Sequence, residues 1–201
     1  GLIWDPILND AEQTAFLGEL IGTGVNDSNE LGIWSEAAGS IGNPALVART
    51  GDAAPSTSPG VTFSNLDSLA FNNAGQTAFF GVLTGTGVDN STEEGLSSEA
   101  VGSIGNPGIV VRTGQAAPGT GVNFERIIWN PMFYDAGQTA FRGRLSGASA
   151  NDFGIWSEAA GSIGSPGLVA IEGDPAPGTG PGVNYVNLGS DPVLNDTGQT
   201  A

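Results

Sequence analysis

Short apolar runs alternate along the chain with clusters of Gly, Asn, Asp, Ser and Pro, and no segment keeps a 3.6-residue apolar period over helical length. Four runs recur in a fixed order. The first spans residues 2–8, with counterparts at 61–71, 122–133 and 183–194. The second covers 13–20, 76–83 and 138–145; the third is 33–36 and its counterparts; the fourth covers 45–50, 108–113 and 167–172. Runs of this length bounded by turn residues predict strands, and the fold class is all-β. Between the first two runs, Asn-Asp-Ala-Gly chemistry predicts a tight hairpin whose last residue takes a positive φ. Gly18, Gly81 and Gly143 inside the second run point to close backbone approach.

The runs belong to a tandem repeat. Gln13, Gln76, Gln138 and Gln199 each open a Gln-Thr-Ala triplet, at spacings of 63, 62 and 61 residues. Gly32-Ile-Trp-Ser-Glu36 returns as Gly95-Leu-Ser-Ser-Glu99 and Gly154-Ile-Trp-Ser-Glu158. Gly39-Ser-Ile-Gly-Asn-Pro44 and Arg49-Thr-Gly-Asp-Ala-Ala-Pro55 recur in phase, the former expected as a loop. The units are 1–60, 61–121 and 122–182, with the start of a fourth at 183–201. Four antiparallel strands in about 62 residues describe a β-propeller-like blade with generous loops. Units that stack as an open β-repeat solenoid or fibre are the alternative.

Two of these blocks carry a resemblance. Asn72-x-x-Gly75-x-x-Ala78-Phe79 resembles the NxxGxxAF tandem repeat of secreted bacterial surface proteins, the choice-of-anchor group, and the Gly-Ile-Trp and Arg-Thr-Gly-Asp-Ala-Ala-Pro blocks resemble that family's segments too. The chain departs from the motif at Glu12, where Gly is expected, and at Tyr134, where Asn is expected. A non-Gly residue at the turn's positive φ costs about 1 kcal/mol. The resemblance implies export and cell-surface display, and it brings no catalytic residues with it.

Composition narrows the chemistry. The 201 residues include 33 Gly and 12 Pro but no Cys, His or Lys, and the formal charge is −16. Imidazole and thiolate catalysis, the usual zinc ligand sets and a Walker lysine are therefore excluded. Five Arg against 21 acids remove the electrostatic route to nucleic acid, and no apolar stretch is long enough to be a transmembrane segment. The chain opens without Met or a leader and reads as a processed or excised piece. Strong acidity without Lys points to an extracellular or cell-surface setting.

The candidate residues follow from the repeat. Glu36, Glu99 and Glu158 occupy one position of the third strand; as a ring they would bind cations, whereas strand-end carboxylates ordinarily face solvent. Trp34 and Trp156 share a position whose third occupant is Ser97, which suggests partly exposed rings able to stack on sugars, with core packing as the alternative. Asp27, Glu30, Asp89 and Asp152 lie in Asx-rich loops with the hard oxygen ligands that Ca²⁺ takes, although Asx residues also simply make turns. Glu125, Glu172 and Asp174 break the repeat, and a polysaccharide hydrolase would need such unique acids gathered in one cleft. The reading is a non-enzymatic, structural or adhesive protein that associates with other copies of itself into a ring or filament. A lectin-like module for surface polysaccharide is the second reading.

Overall fold

The computed structural model describes residues 5–128, 130–147, 153–189, 191–193, 195 and 199–200. Thirteen strands and no helix are present among them. The first sheet is the meander β1 (Ile7–Leu8), β2 (Thr14–Glu19), β3 (Leu31–Ser40) and β4 (Asn43–Arg49), paired in chain order. The second repeats it as β5 (Val61–Phe71), β6 (Thr77–Gly85), β7 (Glu94–Ser103) and β8 (Asn106–Arg112). In the third, β10 (Met132–Phe133), β11 (Thr139–Leu145), β12 (Phe153–Ser162) and β13 (Ser165–Ile171) form the meander. There β9 (Phe124–Ile127) pairs with the far half of β11, so the first strand of the unit is broken in two. Every pairing is antiparallel, and each sheet falls within one repeat span.

The sheets pack face against face in series. The first core joins Leu17, Ile33 and Val47 of the first sheet to Phe63, Phe79 and Leu83 of the second. The second core joins Phe80, Leu96 and Val111 of the second sheet to Phe124, Phe141 and Trp156 of the third. Phe79 and Phe80 are adjacent in β6 and so point to opposite faces, one into each core. This explains why Ala78-Phe79-Phe80 is continuously apolar: the middle sheet is covered on both sides, as sheets between two layers are. Burying each ring contributes about 1.5–3 kcal/mol. The aromatic geometry repeats with the units: Phe63 meets Phe79 edge-on at 5.8 Å and 63°, and Phe124 meets Phe141 at 5.8 Å and 60°.

The hairpins behave as their chemistry requires, including the two departures from the motif. Gly75 and Gly137 have φ of 77° and 73°, and Glu12 is held at 60° in their place. The backbone bond that closes the turn survives in all three, from Glu12 N to Asn9 O, Gly75 N to Asn72 O and Gly137 N to Tyr134 O. Glycine serves a second purpose in the later units. A Cβ on Gly75 would lie 2.7 Å from Ala37 of the preceding sheet, and one on Gly137 would lie 2.8 Å from Ala100. Glu12 is exposed, so only the torsional penalty applies to it.

One expectation is corrected. The Gly-Ser-Ile-Gly-Asn-Pro block is not a loop: β3 runs to Ser40 and β4 resumes at Asn43, leaving a two-residue turn with Gly42 at φ 77°. Gly39 makes this possible, because a Cβ there would sit 2.2 Å from the Asn43 carbonyl oxygen. The same closeness holds at Gly102 and Gly161.

Candidate functional site

The most elaborate polar arrangement in each unit is built around its glutamate. Glu99 on β7 turns one carboxylate oxygen to Thr77 at the start of β6, accepting from its amide at 2.6 Å and its hydroxyl at 2.8 Å. The other oxygen accepts from the Gly105 amide in the β7–β8 turn. Glu158 repeats this with Thr139 (2.7 and 2.8 Å) and the Gly164 amide. Glu36 accepts from the Thr14 amide at 2.8 Å and from the Gly42 amide. Each carboxylate therefore ties a hairpin tip to the strand paired with that hairpin's first arm, satisfying backbone donors that the meander leaves over.

Their surroundings set their ionisation apart. Glu99 and Glu158 are 1% and 0% exposed, and burial pushes their carboxyls above the ordinary value despite the amide hydrogen bonds. Glu36 is only half-buried, and the Gly42 and Thr14 amides hold its carboxyl below it. No group of them is placed to hold a cation, and all three act as clamps, Glu99 and Glu158 in the interior and Glu36 at a half-exposed position. What marks them in the sequence is a fixed spacing, Glu followed six residues later by Gly in every unit.

The tryptophans separate. Trp156 is fully buried, its indole N–H donating to the Pro118 carbonyl at 3.1 Å, so it is a core residue and not a sugar platform. Ser97, its counterpart, is also buried, with its hydroxyl unpartnered. Trp34 is half-buried on the open face of the first sheet, stacked on Phe16 at 5.7 Å and 16°. That matches Phe141 on Trp156, at 6.2 Å and 15°.

The Asx loops satisfy themselves. Asp89 accepts from the Ser91 amide and hydroxyl at 2.9 and 2.6 Å and from the Thr92 hydroxyl at 3.1 Å, and these bonds lower its carboxyl pKa. In the first unit Asn26, not Asp27, plays this part toward Ser28. Asp27 is exposed, Glu30 is half-buried, and Asp152 lies outside the described residues. No group of three His, Cys, Asp or Glu is placed to hold a metal among the described residues. The three acids considered for a hydrolase are dispersed, and Asp174 keeps the repeat as the counterpart of Asp52: Glu125 stands 3.7 Å from Arg144, Glu172 stands 3.6 Å from Arg142, and Asp174 borders a different cleft from Glu125.

Two features escaped the sequence. The first hairpins of successive units form a ladder, in which the Asn9 side-chain Nδ2 donates to Asn72 O at 3.2 Å and the Asn72 Nδ2 to Tyr134 O at 2.8 Å. Asn73 is bonded on both sides, to Asp10 at 2.9 Å and to Asp135 at 3.1 Å. The second is a cleft of about 280 Å³ where the first strands of the three units approach one another. Asp5, Ser68 and Asn130 give it polar walls, and Ile7, Leu69 and Pro131 give it apolar ones. Asn130 donates to Asp191 at 3.0 Å, so equivalent positions of all four units converge here. Three of these positions precede proline, at Asp5-Pro6, Asn130-Pro131 and Asp191-Pro192, a recurrence that was present in the sequence and marks them.

A family model covers residues 2–201. The chain belongs to DUF7453, a family of unknown function. No curated protein and no solved structure matches the chain. The matched residues of this chain include those that form the sheets, clamps and ladder described above. No helix among the described residues is long and apolar enough to cross a membrane.

Proposed function

We propose that this DUF7453 chain is a non-enzymatic secreted or cell-surface protein with a structural or adhesive role. Its sheets act as propeller-type blades, and copies associate into a ring or filament. The observation that carries this reading is the recurrence of one inter-sheet junction, with matched ring geometry in both cores and the same hairpin ladder beside them. Buried acids that could do chemistry instead hold backbone amides. The NxxGxxAF resemblance supports export and surface display. Negative-stain electron microscopy of the purified chain at neutral pH, with and without Ca²⁺, tests the reading. Discs or fibres of regular repeat are expected; small irregular particles in both conditions would refute it.

The cleft between the first strands favours a second reading, a carbohydrate-binding module. Apolar walls beside a carboxylate, a hydroxyl and an amide suit a sugar's mixed surface. A glycan array showing binding that Asn130→Ala abolishes would establish it.

A further inference from the structure

One short turn joins the last two strands of every unit. Ser40 pairs with Asn43, Ser103 with Asn106 and Ser162 with Ser165, so each tip is an Ile-Gly dipeptide. The glycines after Ile41, Ile104 and Ile163 have φ of 77°, 78° and 76°. Turn chemistry asks for the glycine but not for a branched apolar residue before it. Ile41, Ile104 and Ile163 are nevertheless 67%, 46% and 47% exposed, an unfavourable placement made three times over.

The tips are fixed and in line. Each glutamate clamp accepts from the amide of the glycine that follows the isoleucine. Each later tip also rests on the unit before it: a Cβ on Gly105 would lie 3.6 Å from Ala38, and one on Gly164 would lie 3.5 Å from Val101. The isoleucines therefore follow one another along a single edge of the stack, at steps of about 10 Å, the separation of packed sheets. Residues 37–48, 100–111 and 159–171 build this edge and include no ionisable side chain, in a chain of charge −16.

We propose that this isoleucine edge is a contact surface between two copies of the chain, set side by side and running in opposite directions. The occupant is a second copy on electrostatic grounds. Two chains of charge −16 repel wherever acids face each other, and a charge-free apolar edge is where they approach most easily. The direction follows from the same charges. Residues 1–60 carry eight acids and one Arg, and residues 122–182 carry six acids and three Arg. An antiparallel pair sets the first group beside the second, whereas a parallel pair sets each beside its own like. Ile104 then faces its own copy across a two-fold axis, and Ile41 faces Ile163. Clamped tips lose little freedom on docking, and three side chains a copy place the contact at the weak end of protein interfaces. An isologous pair closes on itself, so this contact goes beyond the ring or filament proposed above and joins two such assemblies side by side.

The chain has no cysteine, so a single introduced thiol reports its own neighbours. With a short thiol-to-thiol cross-linker, Ile104→Cys alone is expected to give covalent dimers, and Ile41→Cys and Ile163→Cys are expected to give them only when mixed. Asn90→Cys, in the exposed loop that enters β7 from its far end, sets the background. Sedimentation velocity of the unmodified chain up to about 1 mM, where even a millimolar contact is half formed, measures the association itself. It is expected to tighten at least about threefold between about 0.05 and 0.5 M NaCl, as screening removes the repulsion. Ile104→Asp is expected to weaken it at least about tenfold, circular dichroism confirming that the variant folds. Cross-linking no better than that of Asn90→Cys, or monomers at every salt concentration, would overturn the proposal, while rings or filaments seen by microscopy would survive that result. Ile41→Cys joining its own copy as readily as Ile104→Cys does would overturn the antiparallel arrangement.

Discussion

Replacing Glu99 by Ala tests whether the glutamates are clamps. The substitution removes the acceptor of three donors: the Thr77 amide, the Thr77 hydroxyl and the Gly105 amide. Hydrogen bonds to a charged group contribute about 1.5–3 kcal/mol each, and a buried donor left unpaired costs about 1–3 kcal/mol. The Gly105 end lies at an exposed turn where water takes over, and the Thr77 hydroxyl can rotate to another acceptor. The Thr77 amide has neither remedy. Desolvation of the carboxylate, which raises its pKa, opposes these gains and is relieved by the substitution. The balance is a loss of about 3 kcal/mol, or roughly 6–12 °C in Tm for a chain of this size. Glu158→Ala should match it, since Thr139 and Gly164 repeat the arrangement. Glu36→Ala should cost clearly less, because water reaches the half-buried Thr14 amide. Urea unfolding followed by tryptophan fluorescence ranks the three, and equal losses at all three positions would refute the reasoning.

Stability should rise on mild acidification. Glu99 and Glu158 have folded pKa values raised above about 4.5, so the native state takes up protons first and gains stability as pH falls from their folded values toward 4.5. Below 4.5 the lowered carboxyl of Glu36 reverses the trend, its contribution being lost as pH falls through its folded pKa. Chemical denaturation from pH 7 to 3 checks this, and a Glu99→Gln/Glu158→Gln double variant should flatten the rise. Trp156→Ser should cost about 3–5 kcal/mol, as truncation of a fully buried ring does, whereas Trp34→Ser should cost much less; equal costs in thermal melts would contradict the placement of Trp34 on an open face. Ser97→Ala should be neutral or stabilising by up to about 1 kcal/mol, since the hydroxyl it removes is buried and unpartnered; a loss above about 1 kcal/mol in urea titrations would reveal a partner for it.

Local chemistry made the strands and first hairpins readable. The Asn-x-x-Gly turns are specified within four residues, and even Glu12 is held at the left-handed torsion its neighbours dictate. The second turn was misread because its shape depends on an approach between Gly39 and Asn43 that no single propensity expresses. The glutamates were found but misassigned: their position on a strand was visible, while the convergence of Thr77 and Gly105 on one carboxylate requires the meander to be folded first. Trp34 and Trp156 looked alike because they are alike within their sheets. What separates them is whether another sheet lies above, which depends on neighbouring units and not on the surrounding residues.

The same dependence makes the two internal junctions unequal. Around Gly154 the Trp156 ring approaches within 2.5 Å of a notional Cβ, so glycine and tryptophan are fitted to each other. At Gly95, beneath Ser97, the nearest atoms are 3.7 Å away and include no aromatic ring. The first core thus lacks the indole that fills the second, along with its hydrogen bond to Pro118. In a serial stack each unit is stabilised by its own sheet and by its neighbours, so a weaker junction opens first without unfolding the rest. The first sheet, bounded by that junction on one side and by the open Phe16–Trp34 face on the other, has the least holding it.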